Sequence, residues 1–158
     1  MRPVSHNQMN LQHTTSLTDT QVRELHQLYQ NEWWTKGRSL EDIQRMLDHS
    51  DYIFGLCDAD SETKSLVAFA RVLTDRIFKA FIFDVIVAPE HRKRGVGKVI
   101  IDRILAHPDL VSVKHVELYC LPELVSFYKR WGFSTAAVDG IVLLRRQAGK
   151  KLAVVSEQ

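Results

Sequence analysis

The chain contains little cysteine, no long apolar run and no excess of one charge, and each shortage excludes a class of protein. Its two cysteines, Cys57 and Cys120, do not make a disulfide framework or a zinc site. No apolar run approaches the roughly 20 residues that cross a bilayer, and residues 1–8 lack the apolar core of a secretory signal. A net charge of +2 is too small to indicate nucleic-acid binding. We therefore expect a cytoplasmic protein with reduced thiols and no metal, membrane or nucleic-acid partner.

The remaining composition is that of an ordinary folded domain. Of the 158 residues, 45% are hydrophobic and 25% are charged. These values are typical of a globular chain with one hydrophobic core. We predict a single domain over residues 1–158, with its core between about residues 15 and 145 and peripheral segments at both ends.

Apolar periodicity predicts an α/β fold. Thr18 and Gln21 form a capping-box pattern ahead of a helical stripe that extends to Trp33, which we expect in the core. A second helix, two strands and the apolar run 78–88 follow, and that run predicts a central strand covered on both faces. Next come a helix, a strand, a helix that begins at a proline, and a closing hairpin around residues 139–140. The predicted order is ααβββαβαββ, a mixed central sheet with helices on both faces.

A basic segment with two glycines lies between the apolar run and the helix that follows it. Its residues are Arg92, Lys93, Arg94, Gly95, Val96, Gly97 and Lys98. Glycine lets a backbone approach a bulky ligand, and the N–H groups at a helix start attract an anion. The segment lacks the glycine spacing of a Walker loop and the third glycine of the dinucleotide motif. These residues alone leave two possibilities, a pyrophosphate-binding turn or an ordinary basic helix start.

Two motifs on matching elements make the sequence resemble the GNAT superfamily of N-acetyltransferases. Residues 92–97 fit the family's Arg/Gln-x-x-Gly-x-Gly/Ala motif for acetyl-CoA, and residues 127–133 fit its Phe-Tyr-x-x-x-Gly-Phe motif. Residues 34–38 and 70–75 also resemble one small bacterial subgroup of the family. The resemblance spans about residues 15–145. It implies the GNAT fold, acetyl-CoA as cosubstrate without a metal, an amine acceptor and, as often in this family, a homodimer.

The resemblance also implies roles for residues near the motifs. Backbone groups of Val85, Ile86 and Val87 pair with the pantetheine arm, and the N–H of Val87 or its neighbour stabilises the oxyanion. Tyr128 is the expected general acid for the coenzyme A thiolate, because a phenol stays protonated at neutral pH. Packing on a helix face is the alternative for Tyr128. Asp84 stands apart from these roles, because a carboxylate in an apolar strand is costly unless it is hydrogen-bonded or faces a wet cleft. It accepts a proton from the attacking ammonium, orients a cationic substrate, or makes a structural contact with a backbone N–H or an arginine.

The acceptor pocket is expected between the first two helices and at the end of a central strand. The candidate residues are Trp34, Arg38, Arg71 and Asp75. For each of them a surface contact or ion pair is the competing explanation.

Three functions compete for these residues. The first is acetyl transfer from acetyl-CoA to a primary amine by direct attack in a ternary complex, with an acetyl-enzyme on Cys120 as a lesser route. The second is a non-catalytic acyl-CoA-binding module, which would not need Tyr128. The third is nucleic-acid binding through residues 92–94, which lacks a stacking aromatic platform. The sequence favours the first and does not identify the amine, which is a small molecule or a protein.

Overall fold

Five β-strands form one mixed sheet in the computed structural model, which describes residues 8–135 and 142–148. The strands are β1 (Leu11–Thr14), β2 (Tyr52–Asp58), β3 (Leu66–Thr74), β4 (Lys79–Val87) and β5 (His115–Leu118). They lie in sequence order across the sheet. Strands β1 to β4 are antiparallel neighbours, and β5 runs parallel to β4. The predicted α/β class with a mixed sheet is confirmed.

Three helices accompany the sheet within the first of two compact units, residues 1–119 and 120–158. They are α1 (Asp19–Gln30), α2 (Leu40–Asp48) and α3 (Val96–Leu105). The predicted capping box begins α1. The Thr18 hydroxyl accepts the Gln21 N–H at 3.2 Å, and the Gln21 side-chain oxygen accepts the Thr18 N–H at 3.0 Å. Two backbone donors that a helix start leaves unpaired are thereby satisfied.

The helices cover both faces of the sheet. On one face α1 and α2 pack over β3 and β4, and their buried core residues are Val22, Leu25, Tyr29, Ile43, Phe69 and Ile86. On the other face α3 packs against β2, β3 and β4, and its Ile100, Ile101 and Ile104 have no exposed surface. Burying an aliphatic side chain of this size stabilises a fold by about 1.5–3 kcal/mol.

A β-bulge interrupts the pairing of β3 with β4. Phe69 lies opposite Ile86 and Arg71 lies opposite Phe83, so two steps along β3 match three steps along β4. The extra residue changes the side-chain alternation. Asp84, next to Phe83, has a φ of 57°, a left-handed conformation that costs a non-glycine residue roughly 1–3 kcal/mol.

The second unit, residues 120–158, contains a short helix in its described part. Helix α4 (Val125–Tyr128) lies between 3-10 turns at Pro122–Leu124 and Lys129–Trp131. Pro122 begins the first turn as predicted. Gly132 ends the second with a φ of 84°, the left-handed conformation expected of a glycine that terminates a helix.

Three details of the predicted architecture were wrong or fall partly outside the described residues. A strand, β1, lies where a peripheral end was expected. Helix α1 ends at Gln30, so Trp33 lies beyond it and is 75% exposed instead of in the core. The described parts of the closing hairpin, residues 133–135 and 142–144, are not strands, and its turn at 139–140 lies outside the described residues.

Candidate active site

Asp84 is the centre of a polar cluster on the α1 face of the sheet. The Arg38 Nη1 atom lies 2.7 Å from Asp84 Oδ2, and the Arg71 Nε atom lies 2.8 Å from the same oxygen. The Tyr29 hydroxyl donates to Asp84 Oδ2 at 2.9 Å. The Asp84 side chain is only 5% exposed. We name Tyr29, Arg38, Arg71 and Asp84 the Asp84 cluster. A structural contact with an arginine was one of the roles predicted for Asp84, and its carboxylate makes this contact with two arginines.

The charges of the Asp84 cluster keep its carboxyl ionised. Burial opposes ionisation, but hydrogen bonds and charge attraction from Arg38 and Arg71 outweigh it and hold the pKa of Asp84 below its ordinary value. Burial, followed by the negative charge of Asp84, raises the pKa of Tyr29 far above its usual range. The phenol therefore stays a hydrogen-bond donor at any physiological pH.

Aromatic rings lie on the same sheet face, beside Arg71. The ring centroids of Phe81 and Phe83 are 5.0 Å apart with an interplanar angle of 21°. The Tyr119 ring lies 5.0 Å from Phe81 and 6.4 Å from Phe83. The guanidinium carbon of Arg71 lies 4.8 Å from the centroid of the Phe83 ring. We name Phe81, Phe83 and Tyr119 the aromatic surface; Tyr119 is 54% exposed.

Beyond the bulge, one side of the β4 backbone has no neighbouring strand in the described residues. The register of β4 with β5 runs from Lys79–His115 to Ile82–Leu118, whereas its register with β3 continues to Val87. The Ala88 N–H donates to the Val67 carbonyl of β3 at 2.8 Å. Because successive N–H groups of a strand point to opposite sides, the Val87 N–H points away from β3, toward that open side.

The basic loop, which we define as residues 92–98, includes the first three residues of α3 and follows the 3-10 turn Pro89–His91 after β4. It contains two left-handed residues. Lys93 has a φ of 60° and Gly95 a φ of 78°. A Cβ placed on Gly95 would meet nothing within 4 Å, so the space above this residue is open. The first N–H groups of α3, which starts at Val96, have no carbonyl partner inside the helix. This geometry leaves room and backbone donors for an anion.

The four cations of the basic loop are not equivalent. The Arg92 Nη2 atom lies 2.6 Å from a Glu32 carboxylate oxygen, and its Nε donates to the Val87 carbonyl at 3.0 Å. Lys98 is paired with Asp102 at 2.6 Å. Lys93 and Arg94 are exposed and have no ion pair with any described residue. The sequence pattern, which treats all four alike, could not make this distinction.

Tyr128 lies in the second unit among aromatic residues. Its ring contacts those of Phe127, Trp131 and Phe133 at centroid distances of 5.0, 6.4 and 5.9 Å. The residue is 6% exposed. Burial, with a smaller effect of Cys120, raises the pKa of Tyr128 to about 12. Burial and Glu123 likewise raise the pKa of the Cys120 thiol, which lowers its thiolate fraction and hence its reactivity.

The predicted acceptor residues separate into two groups. Arg38 and Arg71 meet at Asp84, and Trp34, 39% exposed, lies in the turn that leads to Arg38. Asp75 lies elsewhere, in the β3–β4 turn, where its Oδ1 accepts the N–H groups of residues 77–79 at 2.7–3.0 Å. These hydrogen bonds lower the pKa of Asp75, and the one from the Lys79 N–H has the largest effect.

Two residues of the site were missed at the sequence level. Tyr29 lies on the apolar stripe of α1, which indicates only packing, and it is fully buried, but its hydroxyl also donates to Asp84. Glu32 was not a candidate, because nothing near it in sequence indicates its partner Arg92.

Across the described ranges, no helix is long and apolar enough to cross a membrane. The same ranges contain no group of three or more potential metal ligands.

Comparison with known proteins agrees with the fold. The family model described as the acetyltransferase (GNAT) family matches residues 20–133. The chain therefore belongs to the GNAT family. The family resemblance inferred from the two motifs is confirmed.

Individual relatives are similar over most of the chain. The N-acetyltransferase ycf52 of Porphyra purpurea is 33% identical over 110 residues, 70% of this chain and 63% of its own length. Serotonin N-acetyltransferase 2, chloroplastic, of Oryza sativa subsp. japonica is 33% identical over 110 residues, 68% of this chain and 55% of its own. A GNAT-family protein of Xanthomonas campestris pv. campestris has a solved structure with a TM-score of 0.71 and 32% identity, over 87% of this chain and 93% of that chain. The match thus spans 63% and 55% of the lengths of these two curated relatives.

Proposed function

We propose that the protein transfers the acetyl group of acetyl-CoA to a primary amine by direct attack in a ternary complex. The observation that carries this proposal is the open side of β4 at residues 85–87, followed by a short turn and then by the basic loop. Strand backbone with free donors suits an extended pantetheine arm, and a helix start beside exposed cations suits a pyrophosphate. Acetyl-CoA contains both groups, one after the other.

The oxyanion donor in this proposal is the Val87 N–H. Its direction toward the open side supports it over its neighbours, whose N–H groups point to β3. A fixed donor that faces the developing charge lowers the barrier to the tetrahedral intermediate, typically by about 3 kcal/mol. Residues 92–98 bind acetyl-CoA. Lys93 and Arg94 are available for its phosphates, whereas Arg92 is held by Glu32 and the Val87 carbonyl.

Tyr128 donates a hydrogen bond to the departing thiolate. A phenol with a pKa of about 12 keeps its proton at neutral pH. Because a thiol has a reference pKa of about 8.5, full proton transfer to a free thiolate would be uphill. We therefore assign Tyr128 to stabilising the charge as it develops. The raised pKa of the Cys120 thiol argues against an acetyl-enzyme.

Asp84 is a positioning residue in this proposal and not the base. Its carboxylate is held by two guanidinium groups and a phenol, and its lowered pKa leaves it a weak proton acceptor. Water removes the ammonium proton. Arg38, Arg71 and Trp34 form the acceptor side, and Asp75 is left out because its carboxylate is committed to the β3–β4 turn.

The proposal includes the setting in which the enzyme works. One functional domain over residues 1–158 is supported by the family model, whose residues 20–133 extend from the first compact unit into the second. The cysteines Cys57 and Cys120 are free, as expected in the reducing cytoplasm. The rice relative named chloroplastic adds the plastid as a second compartment. A homodimer stays a prediction.

A coenzyme A release assay with Tyr128→Phe tests the function against a non-catalytic acyl-CoA-binding module. A panel of primary amines first identifies a substrate, and serotonin belongs in it because the rice relative carries that name. We expect Tyr128→Phe to lower kcat about a hundredfold while the Kd for acetyl-CoA stays unchanged. Tyr52→Phe is the matched control, since that phenol bonds Asp109 instead. Unchanged turnover in Tyr128→Phe would remove this residue from the mechanism, and no release with any amine would favour the binding module.

A further inference from the structure

In the Asp84 cluster the positive charges outnumber the negative charges by one. Two guanidinium groups, those of Arg38 and Arg71, share the single carboxylate of Asp84. The neighbouring pair on the same sheet, Lys79 and Glu117, is neutral. A protonated amine with no other charge would be repelled here, whereas an acceptor with its own negative group would be attracted.

Arg71 has the hydrogen-bond donors for such a group. Its Nε donates to Asp84 at 2.8 Å, and its guanidinium carbon lies 4.8 Å from the Phe83 ring centroid, so the guanidinium is held by two contacts. Its two terminal amino groups make no hydrogen bond or ion pair with any described residue. Neither atom is among the fully enclosed polar atoms without a partner. The side chain is 15% exposed, so these donors reach an accessible space from a largely desolvated base.

The surroundings of those donors are apolar and aromatic. Arg71 stacks on Phe83, which stacks on Phe81, and Tyr119 completes the aromatic surface with half of its area exposed. A planar apolar body packs favourably on such rings. An oriented guanidinium beside an aromatic surface matches a molecule that has a carboxylate and an aromatic group a few bonds apart.

We propose that the acceptor is a primary amine that also carries a carboxylate and an aromatic or apolar body, as in a free aromatic amino acid. Arg71 binds the carboxylate through its terminal amino groups, and the aromatic surface binds the side chain. Asp84 holds the fork in place. This inference rests on the proposed function for the acetyl-transfer step, while the binding of the carboxylate can be measured without turnover.

The test compares acceptors that differ only in the carboxylate: tryptophan with tryptamine, and phenylalanine with phenethylamine. With acetyl-CoA saturating, kcat/KM from coenzyme A release should favour the amino acids by roughly ten- to hundredfold. Arg71→Gln should reduce this preference to near unity. The preference is kcat/KM for the amino acid divided by kcat/KM for its amine. Because the variant and the unmodified protein are compared by this quotient, differences in amine basicity cancel. Arg76→Gln is the matched control, an arginine stacked on Tyr52 at 5.5 Å outside the cluster, and it should keep the preference.

Calorimetry on the unmodified protein saturated with coenzyme A gives a second readout that does not depend on the stability of Arg71→Gln. Tryptophan should bind at least tenfold more tightly than tryptamine. Equal or tighter binding of tryptamine overturns the inference, as does a preference that survives Arg71→Gln. If these four compounds fail and a primary amine without a carboxylate is acetylated, the inference is wrong and the proposed function stands. If tryptophan binds preferentially but no amine releases coenzyme A, the function fails and the carboxylate site stands.

Discussion

The Asp84 cluster and the basic loop both concentrate positive charge, but they hold it in opposite ways. In the Asp84 cluster each guanidinium contacts the same buried carboxylate, and each also lies over an aromatic ring. In the basic loop Lys93 and Arg94 are exposed and unpaired among the described residues, and two left-handed backbone positions set the shape. The first is a rigid surface for orienting one small molecule. The second is an open, solvated site whose affinity depends on backbone and net charge.

Removing the anion of the Asp84 cluster should have the largest effect. Asp84→Asn leaves two poorly solvated guanidinium groups without a counterion, so we expect a loss of about 3 kcal/mol in unfolding free energy. Urea denaturation measures this loss. Acetyl-CoA affinity of the folded fraction should change little, because the basic loop has its own contacts. A variant as stable as the unmodified protein would contradict the structural role.

The pH dependence of stability sharpens the same prediction. The folded pKa of Asp84 lies below its ordinary value of 3.8. Its contribution to stability is therefore complete above about pH 4 and is lost as the pH falls through the lowered folded pKa. In Asp84→Asn that contribution is absent at every pH, so the difference in stability between the two proteins should narrow below pH 4. A constant difference across this range would show that ionisation of Asp84 is not its source.

A change in the backbone of the basic loop should have an intermediate effect. Gly95→Ala introduces no clash, since nothing lies within 4 Å of the new Cβ, but the φ of 78° strains an alanine by about 1–2 kcal/mol. We expect the Kd for acetyl-CoA to rise about tenfold if the loop relaxes away from this geometry. Gly37→Ala is the matched control, with a φ of 95° and equally open space in the α1–α2 turn. Both should lower Tm, and only Gly95→Ala should weaken acetyl-CoA binding.

The exposed cations of the basic loop should have the smallest effect, and salt should abolish it. Lys93→Gln and Arg94→Gln each remove a solvated charge near a helix start, which is worth about 0.3–1 kcal/mol or a two- to fivefold change in Kd for acetyl-CoA. At 1 M salt, where screening acts within about 3 Å, the difference should vanish. An effect that is independent of salt would mean that these side chains make direct, buried contacts.

Local signals predicted the start of α1 and the two ends of the α4 segment. The capping box at Thr18, the glycine at 95 and the proline and glycine around α4 each determine backbone conformation within a few residues, so spacing alone identifies them. The Asp84 cluster joins residues 13, 46 and 55 positions apart in sequence. Nothing in the composition of β4 indicates which arginines will reach its carboxylate, and only the folded sheet brings them together.

The errors have physical causes of the same kind. Trp33 shares the helical phase of α1, but the chain turns after Gln30, where the buried Thr35 hydroxyl donates to the Tyr29 carbonyl. Such a side-chain contact with the helix end is not visible in apolar periodicity. Strand β1 lacks an alternating pattern because it is an edge strand, held by its register with β2. Tertiary pairing and not intrinsic preference makes it a strand.

The bulge at Asp84 changes the sheet face to which the even-numbered residues of β4 point. Before it, Ala80 and Ile82 lie on the α3 face; after it, Ile86 lies in the α1 core although its position is also even. Deleting Val85 would restore a regular pairing in which Ile86 stays opposite Phe69, so their shared core would survive. Asp84 would then lie opposite Ala70, and because side chains alternate along a strand, its carboxylate would point to the α3 face, away from both arginines. The one extra residue of the bulge therefore puts a carboxylate on the α1 face of β4 without displacing the apolar residues that follow it.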